Sequence, residues 1–590
     1  MEVQRQILKE KIKESILELQ KEKILSDFFI PNFDINFPVF FQYGDFTSNI
    51  AILLSKVAQK PPIGLANLIL EKLNNKKINF LEKIEISPQG FLNFFLKKEV
   101  FLEEINNIFK EKERYPRIIL NKKKTIVIDY SSPNIAKSFG IGHLRSTIIG
   151  HAIYNLFKFL GYKSIGDNHL GDWGTQFGNL IFAILKWGGK KNIKEYTIYK
   201  LEKLYVKFHK EAQKNPKIKE EGRKYFFKLE KRDEKIKQIW REIVKLSLKE
   251  FNKIYKILDI KIDFTIGESF YLKFTKEIIK ELQEKGILSK SEGALIIKFK
   301  EKEFPPAILV KSDGTSTYFL RDLAAIKYRL KKWKPDIILY EVGAEQSLYM
   351  KQLFEAVKML KWDKIYAKKE TYFFHLSHGL YLSKGGKIST RQGTTIHLEK
   401  ILNKAIQEAK KILSKSKAYK NASEKIKEKV AKKIAISAIK YNDLRENPQN
   451  NIIFDLKKCL NLKGNSGPYL QYTLVRANSV LKKAKINRIN KIKILSKNPN
   501  FLSEEEFYLL KEICKFRTIL LKSQEKFSPN IICNYIFNLS QKFNLFYERY
   551  PILNEKNDDL RKLRLLITFS IAQILKNSFK ILGLSVLEKM

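Results

Sequence analysis

The sequence predicts a multidomain α/β protein. One parallel-sheet domain, split by a helical insertion, stands between an N-terminal α+β domain and an all-α C-terminal region. Three observations predict this. Residues 125–150, TIVIDYSSPNIAKSFGIGHLRSTIIG, read as strand, polar loop and helix in succession. The same rhythm recurs after Gly161, from Lys261 and after Pro335. From His397 onward the pattern is helical almost without interruption.

The first of these stretches carries the chemistry. Thr125 to Tyr130 alternates β-branched and apolar residues as a buried strand does, and a helix opens near Gly142. Strand, glycine loop and helix N-terminus make an anion site, because unpaired N–H groups and the helix dipole both point at the loop. Gly140 and Gly142 begin a G-x-G-x-x-G pattern, but Arg145 stands at its third glycine position, which excludes a dinucleotide fingerprint. Gly386-Lys387 is followed by Ile388, with Tyr381 five residues before Gly386, so there is no G-x-x-x-x-G-K-[ST] loop either. What remains is His143 on the first helical turn, with Lys137 and Arg145 close by. That set suits a polyphosphate whose charge must be stabilised while a bond to its α-phosphate breaks.

Composition sets outer limits. The 590 residues, 44% hydrophobic and 12% aromatic, are enough for several packed domains. A formal charge of +49 favours a polyanionic partner through counterion release. Lys, Ile and Asn share A/T-rich codons, however, so base composition alone raises lysine, and the charge leaves both readings open. Cys459, Cys514 and Cys533 form no C-x-x-C pair, which implies a reducing, cytoplasmic compartment without structural zinc. His375 and His378 form a close pair without neighbouring Cys or carboxylate ligands, so no metal site is expected there. The N-terminus carries Glu throughout and has no apolar core of a signal peptide. The apolar run Leu563 to Leu584, broken by Gln573, Lys576 and Lys580, is expected to be too short to span a bilayer.

In chain order, Ile7, Leu8, Ile12, Ile16, Leu19 and Leu25 fall near helical spacing. In YGDFTSN, Asp45 or Thr47 is placed to cap a helix beginning near Asn49, and ISPQGFLNFFL is a turn leading into a strand. An α+β domain over 1–117 follows. The α/β domain is assigned to 118–400, with its insertion, read as a charged helical hairpin, at about 190–257. Within it, SDGT at 312–315 is a turn signal and TYFLRDLAAIKYRL starts a helix. The loop in GDNHLGDWGTQFG is too rich in Gly, Asp, Asn and Trp to be a mere connection, and GLYLSKGGKISTRQGTTI is a glycine-flanked basic loop. Residues 401–590 are expected to form a basic helical bundle with scattered aromatics, suited to RNA, although aromatics at helical spacing are more often core.

Eight words occur in order along nearly the whole chain: SSPNIAK (131–137), GHLRSTIIG (142–150), GDWGTQFG (171–178), GES (267–269), YFLRD (318–322), GAEQ (343–346), FDL (454–456) and GPYLQY (467–472). With the basic KISTR loop, they make the sequence resemble the arginyl-tRNA synthetases of class I. The resemblance implies a split Rossmann-like catalytic domain, an N-terminal domain that binds the tRNA elbow and a C-terminal anticodon-binding bundle. It implies that arginine and ATP, with Mg2+ as the phosphate counterion, give arginyl-adenylate and pyrophosphate. Arginine then passes to the terminal adenosine of tRNA(Arg), and a cytoplasmic monomer is expected.

Residue by residue, Glu268 and Asp322 match the carboxylates that take the guanidinium, which a planar multi-donor cation requires. Tyr318 matches a wall of that pocket, Ser132 and Asn134 the surroundings of the α-amino group, and Gln346 a further substrate-side position. The competing role for Asp322 is an ion pair with Arg321 or Lys327 on its own helix. For ATP, Gly142, His143, Gly343 and Glu345 match, and Lys387, Ser389 and Arg391 match the mobile loop that meets the pyrophosphate. His143, Lys137 and Lys387 would carry the catalytic charge. Tyr43, Asn49, Tyr469, Gln471, Tyr472 and Arg476 would face tRNA. Gly140 replaces the signature's first histidine, and Thr390 replaces a loop lysine whose place Lys137 takes. A catalytically weakened relative kept for tRNA binding, and a basic RNA chaperone, are the readings that compete with an active enzyme.

Overall fold

The computed structural model describes residues 1–118, 123–189, 192–299, 304–366, 370–383, 386–387, 397–485 and 502–590; the side chains of residues 383, 386 and 387 are not described. The chain forms two compact units. The first comprises Met1–Arg117, Thr473–Lys522 and Asn534–Ser578; the second comprises Ile118–Tyr472, Ser523–Cys533 and Phe579–Met590.

The first unit begins with α1 (Glu2–Lys21), whose Leu8, Ile12, Ile16 and Leu19 make one buried stripe at helical spacing. Strands β1 (Phe46–Ser48), β2 (Leu81–Ile86) and β3 (Leu92–Leu96) pair antiparallel in the order β1-β3-β2. Helices α2 (Ile50–Leu54), α3 (Pro62–Asn74) and α4 (Lys98–Glu111) complete the α+β portion. Asp45 accepts the Leu96 N–H at 2.8 Å and pairs with Lys511 at 2.6 Å. It therefore holds the sheet and a helix of the bundle rather than a helix cap.

The second unit is built on five parallel strands: β4 (Thr125–Asp129), β5 (Lys163–Leu170), β6 (Phe264–Gly267), β10 (Ile337–Gly343) and β11 (Tyr372–His378), in the order β11-β10-β4-β5-β6. The chain leaves β4 toward β5 and β6 on one side, and later returns to build β10 and β11 on the other. The carboxyl ends of β4 and β10 therefore flank a switch point, where loops diverge and open a crevice. Helix α5 (Ile141–Phe159) follows β4, and α6 (Thr175–Trp187) follows β5.

The insertion is three helices, α7 (Ile198–Lys214), α8 (Pro216–Glu230) and α9 (Glu234–Leu258), not a hairpin. Asn215 caps α8 by accepting the Lys217 N–H, and Pro216 fits a first helical position, so Asn-Pro breaks what composition alone reads as continuous. Between short α10 (Glu268–Tyr271) with α11 (Thr275–Glu284) and α12 (Tyr318–Trp333) lies a separate antiparallel sheet of β7 (Leu288–Ser291), β8 (Ala294–Ile297) and β9 (Ala307–Val310). These strands extend no parallel ladder; Ile297, Leu309, Leu320 and Leu323 share one buried core. Helices α13 (Ser347–Met359) and α14 (Trp362–Ile365) precede β11, and β12 (Tyr381–Ser383), β13 (Gly386–Lys387) and β14 (Ile452–Ile453) form a small sheet.

Helices then follow: α15 (Leu398–Ser414), α16 (Glu424–Leu444), α17 (Leu456–Cys459), α18 (Gly467–Lys483), α19 (Glu504–Cys514), α20 (Phe516–Glu525), α21 (Asn530–Arg549) and α22 (Asp558–Leu582). Contrary to expectation, α22 is long and apolar enough to cross a membrane. Most of it is nevertheless buried, as a core helix is: Phe569 packs edge-on against Phe109, and Asn577 donates to the Tyr115 carbonyl at 2.7 Å.

Candidate active site

The loop after β4 is held in a shape that side chains resist. Ser131, Ser132 and Ala136 have φ of 73°, 39° and 66°, each a strain of about 1–3 kcal/mol that only surrounding structure can impose. Three elements impose it. The Ser131 N–H donates to Ser146 Oγ on α5 (2.9 Å), and Ser131 Oγ lies 2.8 Å from both Thr147 Oγ1 and the Tyr255 hydroxyl of α9. The Ser132 N–H donates to Asn168 Oδ1 (3.0 Å) on β5, and the Ala136 N–H to Ser247 Oγ (3.0 Å) on α9. Ser132 Oγ donates to Asp129 Oδ1 at 2.7 Å, so its hydroxyl serves the loop. Beneath, buried Arg329 bridges Asp129 (2.7 Å) and Asp167 (2.8 Å), adjacent partners on β4 and β5, and donates to the Tyr340 hydroxyl at 2.8 Å. Burial raises the Asp167 carboxyl, and Arg329 opposes that shift.

Gly140 caps α5. Its N–H donates to His143 Nδ1 at 3.3 Å, which leaves the proton of a neutral imidazole on Nε2. Loss of water around the ring, then the charge of Lys137, pull the His143 pKa down to about 4, so at neutral pH the ring is an uncharged donor. Gly142 is exposed, and a Cβ there would meet no protein atom within 4 Å. Room for a ligand against the backbone is what a nucleotide contact needs. Lys137 lies with Asn134, Gly171, Gln176 and Tyr205 around a cleft of about 180 Å³, its Nζ 5.7 Å from the Tyr205 ring centre. Arg145, which sequence places near the phosphates, is buried instead; it pairs with Asp443 at 3.2 Å and donates to the Asn450 carbonyl. It anchors α5 to α16.

The carboxylate pocket adjoins this loop. A Cβ at Gly171 would lie 2.9 Å from Asn134 Oδ1 and 3.7 Å from Glu268 Oε1, so the glycine is what lets these two groups converge. Glu268 Oε2 accepts Arg321 Nε at 2.6 Å. Asp322 lies 3.1 Å from His169 Nε2 and accepts the Tyr349 hydroxyl. Burial alone would raise Asp322, but His169 and Tyr349 hold its carboxyl below the usual range. Asp322 thus pairs with neither Arg321 nor Lys327; the latter is held by Glu277 and Glu281. Tyr318 is 59% exposed and its ring centre is 5.3 Å from that of Tyr349, so it is a wall open to solvent.

His169, Asp172 and Tyr349 were not predicted as site residues. Asp172 accepts the Ser269 N–H (2.8 Å) and Oγ (2.6 Å), fixing the turn that presents Glu268. The density of GDNHLGDWG was the only signal for the first two. Gly343 ends β10 beside the crevice, with Glu345 and Gln346 exposed just beyond it. Lys387 lies in β13, opposite Leu382, with its side chain outside the description; Ser389, Thr390 and Arg391 lie outside the described residues. His375 Nε2 donates to the Val342 carbonyl (3.2 Å), while His378 pairs with Glu341 (2.9 Å).

Of the residues expected to face tRNA, Tyr43 is 47% and Tyr472 40% exposed, whereas Asn49 and Tyr469 are half-buried. Arg476 donates to Asn544 (2.9 Å) and lies over the Tyr547 ring. Gln471 is a correction: fully buried, it donates to Ser437 Oγ and the Ser585 carbonyl and belongs to the core.

A helix N-terminus and a carboxylate pocket meeting at the switch point of a parallel sheet define a class I synthetase catalytic domain. The family "tRNA synthetases class I (R), catalytic domain" matches residues 104–456, "Arginyl tRNA synthetase N terminal domain" matches 6–96, and "DALR anticodon binding domain" matches 470–590. The chain belongs to the arginyl-tRNA synthetase family. It is 37% identical to the arginine–tRNA ligase of Clostridium perfringens, over 99% of this chain and 100% of that one, and 37% identical to that of Halothermothrix orenii, over 90% and 92%. The crystal structure of Plasmodium falciparum arginyl-tRNA synthetase, 25% identical, superposes with a TM-score of 0.81 over 99% of both chains. The Thermus thermophilus enzyme, 22% identical, shares the fold with a TM-score of 0.81, over 99% of this chain and 100% of that one.

Proposed function

We propose that the chain is an active arginine–tRNA ligase. It joins arginine to the α-phosphate of ATP with release of pyrophosphate, then transfers the arginyl group to the 2′-OH of the terminal adenosine of tRNA(Arg) with release of AMP. The observation that carries this reading is the convergence of Asn134, Glu268 and Asp322 on the pocket beside the α5 N-terminus. A protein kept only to bind RNA has no use for a carboxylate pocket beside a phosphate site, so the weakened-relative alternative gains no support.

Glu268 and Asp322 take the guanidinium, Tyr318 covers it, and Asn134 orients the α-amino end. The arginine carboxylate is thereby aimed at the α-phosphate. A neutral His143 donates from Nε2 to phosphate oxygens, and Lys137 supplies positive charge that offsets the negative charge growing on the leaving pyrophosphate. Gly142 admits the nucleotide, with Gly343 and Glu345 at the ribose edge; Lys387, Ser389 and Arg391 close over the phosphates. Mg2+ enters with ATP as its counterion. The N-terminal domain, through Tyr43 and Asn49, reads the tRNA elbow, and the bundle, through Tyr469, Tyr472 and Arg476, reads the anticodon. The protein acts as a cytoplasmic monomer without a membrane.

Arginine-dependent ATP–pyrophosphate exchange, measured with and without tRNA(Arg), tests the reading. Exchange is expected when tRNA is present. Intact tRNA binding without exchange in either case overturns it.

A further inference from the structure

Both carboxylates of the pocket already hold internal cations. Arg321 sits on Glu268, and His169 Nε2 lies 3.1 Å from Asp322 Oδ1, with both ring nitrogens buried and neither in hydrogen-bond geometry with a protein partner. The two contacts differ in kind. Arg321 is tied down a second time, its Nη1 donating to the Ser316 carbonyl at 2.8 Å, and a guanidinium keeps its proton at any working pH. The imidazole has no such second tie, and its charge is optional. We propose that His169 is a specificity-determining residue whose proton and the substrate guanidinium compete for Asp322, so that binding arginine expels that proton to solvent. This inference rests on the arginine-pocket reading above.

The surroundings make the competition steep. Facing the ring are Asp322 and Arg329 of α12, Asp129 of β4, Asp167 of its own strand, Asp172 of the following loop, Glu268 and Tyr271 of α10, and Tyr349 of α13 through Asp322. Arg329 is spent on Asp129 and Asp167. Asp322 is therefore the acid in contact with the ring, at 3.1 Å in a poorly hydrated pocket where a charge pair is worth several times its value in water. Burial pulls the ring's pKa down, but Asp322 more than offsets this and raises it to about 9. Below that pH the empty pocket presents an imidazolium where the guanidinium must go. Two cations cannot both take Asp322 at full strength, and only one of them can discard its charge. The device also explains how a half-buried Asp322 is kept ionised and oriented before substrate arrives.

The test is the exchange reaction of the full chain with tRNA(Arg) present, titrating arginine and ATP separately between pH 6.5 and 8.5. The KM for arginine is expected to fall by about tenfold per pH unit while the KM for ATP stays level. His169→Gln is expected to flatten the arginine profile. A level arginine KM in the active wild-type enzyme, or an H169Q profile with the wild-type slope, overturns the assignment. Should H169Q fail to fold, titration calorimetry of arginine into the wild-type complex in two buffers of different ionisation enthalpy decides the matter. Release of about one proton per arginine at pH 7.5 is expected, and no release overturns the inference. Absence of both exchange and arginine binding at every pH overturns the underlying function instead.

Discussion

At the scale of single residues, His143 shows how the phosphate site is set. Its pKa lies near 4, so it remains a neutral donor throughout the working range. The KM for ATP is accordingly expected to stay level from pH 5.5 to 8.5 in exchange assays; a break near pH 6.5 would show that the ring titrates like a solvated histidine. Gly140 has φ of −90°, which any residue adopts, so Gly140→His costs no backbone strain. Restoring that donor is expected to accelerate adenylate formation in single-turnover assays, up to about 10²-fold. A slower reaction would mean that the cap has repacked around glycine. His143 and Lys137 stood out in the sequence because their place on a strand, loop and helix start suits a polyphosphate; Glu268 and Asp322 came only through the resemblance carried by GES and YFLRD. His169 and Tyr349 were not legible, since each acquires its role from one tertiary contact with Asp322. Arg145 and Gln471 misled for the same reason: a polar residue beside a motif reads as a ligand contact until its buried partner is seen.

At the scale of elements, the strained loop depends on neighbours that diverge in sequence position. Its shape is set by α9, more than a hundred residues downstream, through Ser247 and Tyr255. No local pattern announces such a tie. The insertion was visible as charged helices, but its Asn215-Pro216 break was not read as one, and the antiparallel sheet β7-β8-β9 was hidden among apolar runs that fit either sheet type. Gly171 is where β5 yields to the site. Gly171→Ala is expected to push Asn134 aside, raising the arginine KM by about tenfold or more while leaving the fold's melting temperature near normal. An unchanged KM would show that Asn134 does not orient substrate.

At the scale of the whole molecule, the order of domains was legible because each has its own periodicity, and α22 shows the limit of that signal. Length and apolarity alone make it a membrane candidate; only its burial within the first unit accounts for its composition. The +49 charge poses a similar question. If it serves tRNA, the affinity should fall steeply with salt, with several counterions released in filter-binding assays between 50 and 200 mM salt. A shallow slope would assign most of the lysines to base composition.

The central claim is that Glu268 and Asp322 form a guanidinium pocket beside a phosphate-binding helix. Asp322→Asn tests it most directly, with the KM values for arginine and ATP measured side by side in the exchange reaction with tRNA. A rise of about 10²-fold or more in the arginine KM with the ATP KM nearly unchanged is the predicted result, and equal damage to both would contradict it.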